Sequence, residues 1–139
     1  MGNTYSVKKI NFEDMQYFIN ETNVTIIITL PESKQECLII NTIQAKAETN
    51  MLNELLKQNI DRKIVLYGMN SSDDAIVTKY NQLTKLGFCN VYVYVGGLFE
   101  WVLLQDVYGD DSFPTTKKEL DILQFKGNKT ITRLMLTNK

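Results

Sequence analysis

Three apolar runs constrain this chain more than anything else in it. VTIIITL (24–30), IVLY (64–67) and NVYVYV (90–95) are short, rich in β-branched and aromatic residues, and apolar almost without interruption. A strand with one wet face alternates apolar and polar residues, whereas a strand covered on both faces does not. Stretches with helical spacing flank the runs. INFEDMQYFIN (10–20) sets Ile10, Met15, Phe18 and Ile19 at that spacing behind Asn11 as N-cap, and AETNMLNELLKQN (47–59) turns Met51, Leu52, Leu55 and Leu56 inward. AIVTKYNQLTKLGF (75–88) is stopped by Gly87, and GGLFEWVLLQDVYG (96–109) is a glycine turn leading into a helix. Strands of this kind alternating with helices predict an α/β fold, a mainly parallel sheet covered on both faces. A further short apolar run, ECLIINTI (36–43), lies beyond Pro31, which ends the first strand.

Composition removes several classes of function. The chain of 139 residues is the size of one domain, and its formal net charge of −1, from 15 basic and 16 acidic residues, does not suit a nucleic-acid binder. It has no histidine, which excludes Ser–His and Cys–His dyads and most catalytic zinc sites. Asp106, Asp110 and Asp111 lack the spacing of a calcium loop, so neither metal nor cofactor is expected. Cys37 and Cys89 are too few for a disulfide framework and read as reduced thiols. No apolar stretch reaches the ~20 residues that span a bilayer. The expected organisation is a flexible tail over 1–9, one domain over 10–116, and an appendix over 117–139 packing on the domain or a partner. In that appendix KGNK (126–129) turns into a strand TITRLML (130–136).

In α/β domains chemistry sits where a strand ends and a helix begins, which directs attention to IVLYGMNSSDD (64–74). The loop Gly68, Met69, Asn70, Ser71, Ser72, Asp73 holds no nucleophile with a base beside it and no cation. Asp73 and Asp74 complement the positive end of the next helix dipole, and Ser71 with Asp74 has capping-box spacing. Carboxylates placed there oppose an incoming anion. The loop reads as a helix entry without catalytic residues.

The order of motifs resembles the rhodanese-like domain from about Ile10 to Thr116. In KLGFCNVYVYVGGLFEWVLL (85–104), Gly87, Phe88, Gly96, Gly97 and Trp101 match the family's helix end, strand, Gly-Gly and tryptophan-bearing helix. CLIINTI (37–43) and FPTT (113–116) resemble two further family segments. The resemblance implies a three-layer α/β/α fold, and in active members a cysteine opens a loop whose backbone N–H groups hold a persulfide and an anionic donor. That cysteine falls here on Gly68, the loop's closing arginine near Asp73, and the family's Asp-x-Arg on Ile28 and Leu30. The implication is a member without its catalytic groups. The alternatives are a sulfurtransferase that uses Cys89 or Cys37 unconventionally, and a phosphatase relative, which needs the same absent cysteine.

Two regions suggest binding in place of catalysis. The helix after Gly97 is apolar almost all round. Either the appendix buries it, or Phe99, Trp101, Val102 and Leu104 offer a surface to a protein partner or a second copy. The start, MGNTYSVKK, resembles N-myristoyltransferase substrates, with Gly2 behind the initiator Met, Ser6 at the required place, and Lys8 and Lys9 beyond. This predicts a myristate on Gly2 and peripheral attachment to the cytoplasmic face of a membrane, in a eukaryotic cell or a virus that infects one. Lys8 and Lys9 would supply the second membrane signal.

Overall fold

Alternation of side chains along each strand assigns the two faces of one sheet. The structure, a computed structural model, describes residues 7–129 and Ile131. Its strands are β1 (Lys8–Ile10), β2 (Val24–Ile28), β3 (Lys63–Tyr67) and β4 (Val91–Tyr94), all parallel, in the order β1-β4-β3-β2. The helices are α1 (Phe12–Phe18), α2 (Ala45–Gln58), α3 (Ala75–Leu86) and α4 (Gly97–Tyr108). Ile26, Ile28, Val65, Tyr67 and Tyr94 point to the side of α1 and α4, where they pack with Met15, Phe18, Trp101 and Val102. Ile27, Ile64, Leu66, Val91 and Val93 point the other way, onto Leu52 and Leu55 of α2 and Tyr80 and Leu83 of α3. Strands wet on one side have no use for such continuous apolarity; here both sides are covered.

Local chemistry sets the helix ends. Asn11 and Asp14 form a reciprocal capping box at α1, each side chain bonding the other's backbone N–H at 3.0 and 3.1 Å. Gly87 ends α3 with φ +112°, a conformation that suits glycine. The 36–43 run is not a strand. Tyr67 prevents it from becoming a fifth regular member: its buried hydroxyl accepts from the Ile39 N–H at 3.0 Å and lies 2.7 Å from Thr42 Oγ1. The run touches the sheet at one bridge, Ile26 to Thr42, and meets the 113–116 segment at another, Ile39 to Thr115.

Three expectations need correction. Lys8 and Lys9 are not part of a flexible tail: with Ile10 they pair with Tyr92, Val93 and Tyr94 as an edge strand, so the domain begins before Ile10. Successive strand residues face opposite ways, so Lys8 and Lys9 do not form one basic patch. Lys8 Nζ bonds the Cys89 carbonyl at 3.3 Å and lies over the Tyr92 ring. Met51 is not inward; it sits on the rim of α2, which buries only Leu52 and Leu55. Gly2, Ser6 and the expected strand 130–136 lie outside the described residues, Ile131 excepted.

Candidate functional site

The loop of interest leaves β3 at Tyr67 and enters α3 at Ala75, at the C-terminal edge of the parallel sheet. Helix α4 clamps it. The first amides of a helix have no partner within the helix; here the Leu98 N–H bonds the Gly68 carbonyl at 2.9 Å and the Phe99 N–H bonds the Met69 carbonyl at 2.8 Å. Such an approach requires Gly97. Its φ is +70°, and a Cβ there would lie 2.8 Å from the Gly68 oxygen and 3.0 Å from the Asn70 nitrogen.

Asp73 organises the interior of the loop. Its Oδ2 accepts from the Met69 N–H at 3.1 Å and from the Thr29 hydroxyl at 3.2 Å, and its Oδ1 accepts from the Ala75 N–H at 3.0 Å. A Cβ on Gly68 would fall 2.5 Å from Oδ2 and 2.9 Å from both the Cβ and Cγ of Asp73. The carboxylate therefore occupies the space that any side chain at position 68 would need. Asn70 braces the outer part: its Oδ1 accepts from the Ser72 N–H at 2.9 Å, and its Nδ2 donates to the Phe125 carbonyl at 2.9 Å. Ser71 and Ser72 are exposed. The expected Ser71–Asp74 capping box does not form. Asp74 takes the N-cap position with no side-chain bond, and Asp73 caps the first amide in its place.

The two cysteines stand in different settings. Cys37 is buried, its thiol donates to the Lys117 carbonyl at 3.3 Å, and burial, with the Glu119 carboxylate adding to it, pushes the thiol above its ordinary range. Cys89 is exposed but precedes β4, at the sheet edge opposite the loop, with the Asp61 carboxylate and the Gly87 carbonyl as its nearest acceptors. Among the described residues no three His, Cys, Asp or Glu side chains converge as a metal site.

The surface expected on α4 is placed differently. Trp101 and Val102 are fully buried and cannot meet a partner. The Trp101 ring packs edge-on against Tyr94 and Phe113, and its Nε1–H bonds the Pro114 carbonyl at 3.1 Å. Phe99 and Leu104 are half-buried against the same cluster. Gln105, a polar residue of the helix, is also inside, donating to the Phe113 carbonyl at 2.8 Å and Thr115 Oγ1 at 3.0 Å. Leu103, Val107 and Tyr108 are the apolar residues of α4 that reach solvent, the last two about 70% exposed. Thr29 and Phe125 had no sequence signal. A threonine closing an apolar run and a phenylalanine in an appendix carry no mark of contact with this loop.

The profile of the rhodanese-like domain family matches residues 21–104, more than half of the chain. No curated protein matches the sequence. Solved structures do match in fold. BH2092 from Bacillus halodurans aligns with TM-score 0.62 at 14% identity, over 93% of this chain and 89% of its own. Ygr203w, described as a yeast protein tyrosine phosphatase of the Rhodanese family, aligns at 0.61 and 18% identity over 86% and 99%. The single-domain sulfurtransferase RDL2 of Saccharomyces cerevisiae aligns at 0.56 and 13% over 77% and 98%. From the all-parallel four-stranded sheet, the helices on both its faces and the family match, the chain belongs to the rhodanese-like domain family.

Proposed function

We propose that this chain is a catalytically silent rhodanese-like module that acts by binding a protein partner and is held at a membrane by a myristate on Gly2. One observation carries the catalytic part: the Asp73 carboxylate fills the space that a side chain at Gly68 would take. A sulfur or phosphoryl acceptor must be a nucleophile with an accessible lone pair. Position 68 supplies none, and the fixed negative charge beside it repels an anionic donor. The sulfurtransferase and phosphatase among the structural relatives are similar in fold, and their activities are their own.

Support for partner binding is the outer side of α4, where the apolar Leu103, Val107 and Tyr108 stand in water. Support for the lipid is the MGNTYS start. One myristate gives only marginal attachment, on the order of 10⁴ M⁻¹, and Lys8 and Lys9 diverge, so attachment is weak and reversible. Intact mass of protein made in a eukaryotic host, before and after thiosulfate, reads both parts together. The expected species carries one acyl chain and no added sulfur. An unacylated N-terminus overturns the anchor, and a persulfide overturns the silence.

A further inference from the structure

Residues 117–128 cross the face of the molecule that carries the loop, and their apolar hold on the body is confined to Phe125 and Ile122. The segment before them, Phe113–Thr116, is stitched to the 38–40 run: Thr116 N–H to the Leu38 carbonyl at 2.8 Å, Leu38 N–H to Thr116 Oγ1 at 3.0 Å, Ile40 N–H to the Pro114 carbonyl at 3.1 Å. Past Lys117 that stitching stops. The only regular element from there to residue 129 is one 3₁₀ turn, Ile122–Phe125. Phe125 is the only buried residue of 117–129, while Leu120 and Leu123 are 85% and 62% exposed. Two ion pairs, Lys117 with Glu36 and Lys118 with Asp110, lie in water and contribute little.

What lies beneath is not close-packed. A half-open pocket of about 330 Å³ lies between segment and body, lined by Cys37 and Met69 of the body and by Glu119, Gln124 and Phe125 of the segment. At its near end the Cys37 thiol bonds the Lys117 carbonyl. At its far end Asn70 bonds the Phe125 carbonyl, and Gly127 lies against Ser72 and Asn70. Phe125, with Ile122 packed on the same core, is the apolar anchor between the thiol and the mouth of the loop. Protein regions with few buried contacts open at free energies far below that of global unfolding.

We propose that residues 117–128 are a releasable strap whose lifting exposes Cys37 and the loop mouth together while the sheet stays folded. This holds whether or not the loop has chemistry of its own.

The two thiols provide the test on the unaltered chain. Iodoacetamide labelling, followed residue by residue by peptide mass, uses exposed Cys89 as the internal reference. The expected result is slow Cys37 labelling whose rate is flat at low urea, because opening the strap exposes little surface. Phe125→Ala should raise the Cys37 rate by about tenfold or more and leave the Cys89 rate unchanged. If Cys37 labelling in the wild type climbs with urea in step with global unfolding, the strap is part of the core and the proposal is wrong. Because that arm needs no variant, misfolding of Phe125→Ala does not rescue the proposal.

Discussion

A methyl group at position 68 meets the Asp73 carboxylate before it meets anything else. Asp73 is short and bonded to three donors, so it has no free rotamer to retreat into. Overpacking of this kind costs about 1–3 kcal/mol. Gly68→Ala should therefore lower stability by that amount in a urea titration. Combining it with Asp73→Ala should cost less than the sum of the two changes, since the pair is in direct contact. Additive costs would show that the carboxylate is not the obstacle. Gly97→Ala meets backbone in place of a side chain, at positive φ, and should be worse, about 2–4 kcal/mol by the same titration. The glycine at 68 was legible in the sequence as an absence of thiol. That Asp73 fills its space was not, because the contact depends on how a loop of six residues curls, and dipole arguments treat Asp73 and Asp74 alike.

The helices show where sequence periodicity suffices and where it does not. Helix α4 is apolar beyond a single stripe because three things cover most of it: the sheet through Tyr94, the Phe113 ring, and the Ile122–Phe125 turn. Its existence and its limits follow from Gly97 and Gly109, but which residues face out does not, since eight apolar positions leave no stripe to read. Trp101→Ala should cost about 3–5 kcal/mol. Val107→Glu should change stability by no more than about 0.5 kcal/mol. A melt separates the two, and comparable losses would mean that Val107 is covered. Strand β1 escaped notice for a different reason. Three residues, two of them lysine, form a strand only because the edge of β4 offers them carbonyls and amides, a tertiary cause that local propensity does not carry. Strands β2, β3 and β4 were legible because burial on both faces writes itself into most of their positions.

At the scale of the whole molecule, two buried tyrosines tie the α1–α4 side of the core to pH. Burial pushes Tyr94 well above the ordinary phenol range, with the Glu100 carboxylate that accepts its hydrogen bond at 2.7 Å acting the same way. Burial also raises Tyr67, against the hydrogen bonds from Thr42 and Ile39. The unfolded chain releases these protons near pH ~10 while the folded chain keeps them. The unfolded state then binds fewer protons, so stability falls as pH rises. The contribution is complete below pH ~10 and lost above it. Melting temperature should be level from about pH 7 to 9 and drop steeply past pH ~10, with no drop if both rings reach water. The membrane proposal belongs to this scale too. Fractionation of wild type and Gly2→Ala from a eukaryotic host should show a wild-type membrane fraction that the variant lacks, only mildly sensitive to salt because Lys8 and Lys9 diverge.

The central claim is that the loop after β3 supports no group transfer, and thiocyanate formation from thiosulfate and cyanide tests it most directly. Wild type should match the no-protein control. Gly68→Cys should match it as well, because the new thiol would press on Asp73 and face its charge. Thiocyanate production by the unaltered chain, in proportion to the protein added, would contradict the account.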